Sequence, residues 1–410
     1  MRSLMKQILA PLLSLAFLML SNGFFITFIS AKLLISGASP IEIGVVQGSY
    51  YAGFLLAALK SEPLIQRIKH IRAFSFFASI ATACTLTTVF AHHLIIWILL
   101  RFVMGICIAA LYVVIESWLL TISNIKNRGV ILAIYMIALY VAQSISQYII
   151  NLIDIRSEMP YIIAGLLAAI SILPVTFTHT RIPEISAPPV GAIFHLFVVS
   201  PLGTIGCIIS GIILGSFYTF GPNYAQVYEI SIAHLMSLTI AGGFLLQYPI
   251  GHLSDIFSRR KVMIGVSFFS LISAIIVILA TGSAFWVLLF SFILGGFVFT
   301  IYPLSIAQLV DKTSYDQVTA ATGVMLFAYS IGAVVGPLIT PIFISVFKGE
   351  IGLYYFIALA SFALTLAGFV MVGISKPLPK RDQESFIPLP PQTPVGYDLD
   401  PRAEDNSDKR

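Results

Sequence analysis

The chain has 410 residues, of which 58% are hydrophobic and only 10% charged, and its mean hydropathy is +0.96. Soluble domains carry about 25% charged residues, so this composition excludes a soluble globular protein and points to a polytopic membrane protein. The net charge of +5 is explained by topology, without a nucleic-acid partner.

About 20 apolar residues cross a hydrocarbon core, and twelve such windows occur, centred near residues 22, 50, 81, 107, 140, 169, 210, 240, 271, 297, 332 and 362. The first, roughly 8–36, follows Arg2 and Lys6. It is too long for a signal peptide and has no small-residue cleavage site, so it reads as a retained span. It carries Asn22 and Thr27, and the second span carries Gln47 and Tyr51.

The fourth span, "RFVMGICIAALYVVIESWLL" (101–120), places Arg101 and Glu116 in an otherwise apolar stretch. On a helix turning about 100° per residue, Arg101, Gly105, Ala109, Tyr112 and Glu116 fall on one stripe about 80° wide. Arg101 and Glu116 are about 22 Å apart along the axis, so each needs its own partner. A lipid-facing arginine costs at least about 2.5–3.5 kcal/mol. Arg101 is therefore expected to face a cavity or a polar partner such as Asn22, with snorkelling to the outer interface as the alternative.

The fifth span holds Tyr140, Gln143 and Gln147, and lacks glycine and proline. After the sixth, the polar, proline-containing "HTRIPEISAPPVGAIFHLF" (179–197) reads as a linker. The seventh span holds Tyr218 and Asn223, the eighth Gln247 and the tenth Tyr302. In the eleventh, "YSIGAVVGPLITP" (329–341) supplies Tyr329 and the packing or kinking residues Gly332, Gly336, Pro337 and Pro341. Buried amides and hydroxyls require partners. The deep polar residues are thus candidates for the substrate pathway and equally for helix–helix hydrogen bonds. From about 376 onward, prolines and charges dominate, as in a disordered tail.

Cys84, Cys107 and Cys207 all fall inside spans and read as small buried hydrophobes. Basic residues gather at one side of the spans: Arg2, Lys6, Arg67, Lys69, Arg72, Lys126, Arg128, Arg181, Arg259, Arg260, Lys261, Lys312, Lys376, Lys380 and Arg381, against Lys32, Arg156 and Lys348 opposite. The positive-inside rule then puts both termini in the cytoplasm.

The second half echoes the first at a shift of 190 residues: Phe54-Leu55-Leu56 maps onto Phe244-Leu245-Leu246, Gly105 onto Gly295 and Tyr112 onto Tyr302. After four extra residues, "GVILAIYMI" (129–137) maps onto "GVMLFAYSI" (323–331). The expected organisation is a six-helix half at 1–178, a cytoplasmic linker at 179–198, a second six-helix half at 199–375, and a tail at 376–410. Parallel repeats of this kind are used by secondary transporters that bind solute between the halves near mid-membrane.

Between spans eight and nine, "QYPIGHLSDIFSRRK" (247–261) places Asp255 one turn after Gly251, and Arg259, Arg260 and Lys261 another turn on. A carboxylate there can cap a neighbouring helix while an arginine reaches an acid on another, making a gate. The pattern resembles the signature loop of the major facilitator superfamily. With "GFVFTIYPLSIAQLVD" and the fourth span, the chain looks most like the YcaD-like group of bacterial members.

The resemblance implies a twelve-helix all-α membrane protein of two pseudo-symmetric halves in a bacterial inner membrane. It implies a gate role for Glu116, with Arg67, Lys69, Arg72 or Arg128 as partner. It also links Arg101, in an Arg101-x-x-x-Gly105 motif, to proton or substrate coupling. In the first half the loop departs from the pattern: at the 190 shift Gly251 faces Ser61 and Asp255 faces Ile65.

No P-loop, metal cluster or nucleophile with an oriented base is present, so ATP-driven transport, a cofactor and enzyme chemistry are not expected. The reading is a monomeric secondary transporter of a small organic solute working by alternating access, with proton coupling open through Glu116. The alternative is a transporter-like sensor without net transport.

Overall fold

The computed structural model describes residues 2–123, 127–176, 199–313, 318–374, 383 and 386–390. The linker at 179–197 and most of the tail lie outside the described residues. Twelve long helices are present among those described: α1 Arg2–Ile35, α2 Pro40–Ile68, α3 His70–Thr87, α4 Leu94–Ile122, α5 Arg128–Ser146, α6 Met159–Ile170, α7 Pro201–Val227, α8 Ile232–Ile256, α9 Arg259–Leu279, α10 Ala284–Val310, α11 Val318–Val346 and α12 Gly352–Ile374. A 3-10 turn, Gln147–Asn151, continues α5, and the short helix Leu173–Thr176 follows α6.

Ten helical segments are long and apolar enough to cross a membrane. The other two, α2 and α8, have 29 and 25 residues, ample at 1.5 Å per residue, but carry more charge and polarity towards their ends. Local signals set the breaks. Gly37, at φ +82°, turns the chain after α1. Ser39 and Glu42 then form a reciprocal capping box that starts α2, with Pro40 in its first turn.

The internal duplication is visible in the packing. A Cβ on Gly53 would strike the Phe102 carbonyl, and one on Gly105 would strike the Tyr50 carbonyl. In the second half Gly242 meets Phe292 and Gly295 meets Thr239 in the same reciprocal way. Small residues let backbones touch in a membrane, where apolar attraction between helices is weak.

These contacts also correct the register. The fourth and tenth helices correspond at 190 residues, as Gly105/Gly295 and Phe102/Phe292 require, but α2/α8 correspond at 189, as Gly53/Gly242 and Tyr50/Thr239 require. The buried faces of α3 and α9 agree at 189 as well, Phe74, Phe77 and Ala81 falling on Met263, Val266 and Ser270. Gly251 therefore corresponds to Glu62, Asp255 to Gln66 and Arg259 to His70. String matching missed the single-residue slip because Phe54-Leu55-Leu56 repeats in the neighbouring register.

The two sets of six helices meet along α2/α11, α5/α8 and α1/α7. Gly44 of α2 packs on the Pro337 carbonyl, and Gly48 packs on Leu338. Tyr148 meets His234 edge-on at 5.6 Å. All of these lie towards the end opposite the basic residues. The aromatic contacts of Tyr140 with Phe244 and Phe299, at 5.6 and 5.9 Å, lie nearer mid-helix.

Candidate functional site

Arg101 is 1% exposed, so it does not snorkel to the surface. Its Nη2 donates to Gln47 Oε1 at 2.6 Å, and its guanidinium lies over the Tyr50 ring at 4.5 Å and the Phe25 ring at 5.8 Å. Sequence reasoning expected Asn22 as the direct partner. Asn22 sits one step further out, its Nδ2 donating to the Tyr50 hydroxyl at 3.2 Å. Gln47 is itself fixed, donating to the Ile26 carbonyl and the Ser30 hydroxyl of α1. Among the described residues no carboxylate lies within ion-pair reach of Arg101, and its Nε has no acceptor. Two cation–π contacts, one charge-assisted hydrogen bond and a weak bond from Nη1 to Met104 Sδ at 3.8 Å offset part of the desolvation, leaving the Nε donor unused.

Beside this cluster, Tyr50, Tyr51, Phe54, Tyr329, Ser330 and Ala333 line a narrow cleft between α2 and α11 whose space is about 10 Å³, room for a single water. Tyr329 packs edge-on against Tyr302 at 5.2 Å. Gln143 Nε2 donates to the Tyr218 hydroxyl at 3.0 Å, bridging α5 and α7 across the two sets. Arg101, Gln47, Asn22 and Tyr51 thus gather at one wall, with Tyr329 and Tyr302 opposite and Gln143 with Tyr218 beside them.

Other candidates serve different ends. Gln147 is saturated by Thr27, the Gly23 and Gln143 carbonyls and Ser146, so it ties α5 to α1. Asn223 is fully buried near the far end of α7, with neither amide atom partnered among the described residues. Gln247 donates to the carbonyls of Phe299 and Leu389. Gly332 and Gly336 seat α11 against Ile208 and Ile212 of α7. Tyr50 and Phe25, missed by sequence reasoning, carried a faint signal: Tyr50 adjoins Tyr51 and lies one turn from Gln47.

At the basic end, Arg259 forms a two-point ion pair with Asp311 at the end of α10, at 2.5 and 3.1 Å, both side chains under 5% exposed. Arg259 also reaches Ser254, and Arg260 donates to the Met371 carbonyl of α12. Asp311 was not singled out by the sequence, although it is the lone acid closing an apolar span. Asp255 accepts the Phe386 backbone N–H at 2.8 Å and contacts His252. Burial, followed by nearby Arg260, lowers the Lys312 pKa.

In the first half Glu116 accepts a 2.6 Å hydrogen bond from Tyr135. Arg67, Lys69 and Arg72 are exposed, whereas Arg128 is buried at the start of α5. At the opposite end of the molecule, burial lifts the Glu350 carboxyl to about 7.

The Major Facilitator Superfamily model matches residues 11–243 and 229–396. The uncharacterized MFS-type transporter YcaD of Escherichia coli O45:K1 is 32% identical over 335 residues, 80% of this chain and 86% of that protein. Its Escherichia fergusonii counterpart is 31% identical over 332 residues, 79% and 85% of the respective chains. The nucleoside transporter NupG aligns with a TM-score of 0.74 at 16% identity, over 89% of this chain and 99% of its own. A bacterial homolog of the human lysosomal transporter Spinster, in an inward-facing unoccupied conformation, aligns at 0.74 and 14% identity, over 93% and 98%. Those two structural likenesses speak to the fold alone. With the repeat, the paired glycines and the family match in agreement, the chain belongs to the major facilitator superfamily and is a multi-pass membrane transporter of that type, not an enzyme.

Proposed function

We propose that this transporter is a secondary carrier of a small organic solute, bound between the two six-helix halves and moved by alternating access. The observation that carries the reading is Arg101: a fully buried guanidinium, held by Gln47 and Tyr50, with no acid to neutralise it among the described residues. A solute with an anionic or strongly accepting group answers that charge, and the aromatic walls of the narrow cleft beside it suit an apolar body once the halves part to admit it.

The basic end is the cytoplasmic one by the positive-inside rule, and Arg259–Asp311 serves as a gate brace on that side. Gly251 and Asp255 offer the neighbouring contact surface. Glu116, hydrogen-bonded by the Tyr135 hydroxyl at 2.6 Å, is the acid through which proton coupling would run.

The test is a thermal-shift screen of the purified chain against organic anions and amphiphiles at two pH values, since a ligand of the folded state raises apparent stability. Each hit is then measured for counterflow in proteoliposomes. The reading expects hits that are lost in Arg101→Ala and that move across the bilayer. Binding without flux in a folded, oriented sample would favour the sensor alternative.

A further inference from the structure

The tail was expected to be disordered, yet Phe386–Pro390 packs on α8. The Phe386 ring occupies the notch left by Gly251, where any Cβ would collide with it. Its N–H is accepted by Asp255, and the Leu389 carbonyl accepts from Gln247 at 3.1 Å. Phe386 is 6% exposed and Leu389 0%. From Asp255 to Gln247 the contacts advance two turns, about 12 Å, from the basic end towards the middle of the helix.

The side of α8 that the tail covers is informative. Phe244, Gly251 and Asp255 lie within about 40° of one another around the helix. Phe244 is where α8 meets Tyr140 of α5. The tail therefore continues, towards the basic end, the stripe that mid-helix faces the other half.

We propose that Phe386–Pro390 is an autoinhibitory strap: it occupies the entrance between α8 and α5 and must leave α8 before the halves can close at the basic end. The regulatory part rests on the alternating-access reading; the seating does not. Gly251 and Asp255 thereby serve two exclusive contacts, the strap in one state and the opposite half in the other. Whatever draws the tail away, a partner or a modification among its polar residues, would release the cycle.

Labelling of Leu389→Cys in the full chain, by a membrane-impermeant maleimide from the basic side, tests the seating. The three native cysteines are buried in the fold but react once unfolded, so Cys84, Cys107 and Cys207 are first replaced by Ala. The expected rate is at least about tenfold below that of the denatured chain, as for a locally protected site. Adding Asp255→Ala, or Phe386→Ala on the tail itself, should restore most of it. Labelling at the denatured rate, or protection indifferent to both changes, would overturn the seating.

Spin labels at Lys69 and Lys312 then read the basic end directly. The strap predicts that Phe386→Ala enriches the short-distance population. An unchanged distribution, in a chain whose basic end closes with bound solute, would overturn autoinhibition. A basic end that closes in neither the unaltered nor the Phe386→Ala chain, with or without solute, would refute the carrier reading and autoinhibition together, while the labelling result still decides the seat.

Discussion

Arg259 and Asp311 form a buried ion pair at the basic end of the second half, whereas the corresponding places in the first half hold His70 and Thr121. His70 is 6% exposed and neither ring nitrogen has a partner among the described residues, and Thr121 donates back to the Ser117 carbonyl. The duplicated halves therefore share helix packing, while at these two places the charged pair stands in the second half.

Removing one partner of that brace leaves a charge buried without compensation, which costs about 3–5 kcal/mol. Asp311→Ala should lower the unfolding midpoint in detergent markedly, and Arg259→Met combined with Asp311→Leu should recover much of the loss. A double variant as unstable as the single one would mean that the pair's surroundings, not its charges, hold α9 to α10.

Gln47 orients Arg101, and a hydrogen bond to a charged group contributes about 1.5–3 kcal/mol. Gln47→Leu should therefore destabilise the fold and weaken binding of any screened anion, as Arg101→Lys should through loss of the planar fork. Isothermal calorimetry with the hit compound reads both; unchanged affinity in each would detach Arg101 from the solute.

The glycine pairs make opposite demands. Gly105→Ala and Gly295→Ala place a methyl on a neighbouring carbonyl and should depress folded yield and Tm. Gly129 and Gly265 have nothing within 4 Å of a new Cβ, so alanine there should be neutral or stabilise by about 0.5–1 kcal/mol. Size-exclusion profiles and thermal melts of the four variants check the contrast.

Glu350 gives a pH signature. Burial pushes its folded carboxyl up from the ordinary 4.5 to about 7. Between those values the unfolded chain has lost a proton that the folded chain retains, so stability falls as pH rises from about 4.5 to 7 and the full penalty stands above. The shift corresponds to about 3 kcal/mol at most. Melts across pH 4–8 should show this slope in the unaltered chain and its loss in Glu350→Gln.

Much of the fold was legible because a bilayer imposes one strong rule: twelve apolar runs become twelve helices. The site was legible in part. Arg101, Gln47 and Tyr51 stood out as polar or aromatic residues at membrane depth, but which would touch depended on helix rotation and crossing, set by glycines such as Gly53 and Gly105. Asp311 escaped notice because an acid at a span's end looks like an ordinary boundary. Phe386 and Leu389 escaped because proline-rich composition says nothing about a specific notch such as Gly251.

Alternating access requires the halves to rock about a solute held near Arg101. Paired spin labels in nanodiscs, at Ile41 and Phe347 for the far end and at Lys69 and Lys312 for the basic end, test it with a screened ligand present and absent. The account predicts two populations at each end, the far end opening as the basic end closes, with ligand shifting both together. One fixed distance at both ends, in a chain that demonstrably binds the ligand, would contradict alternating access and leave a receptor.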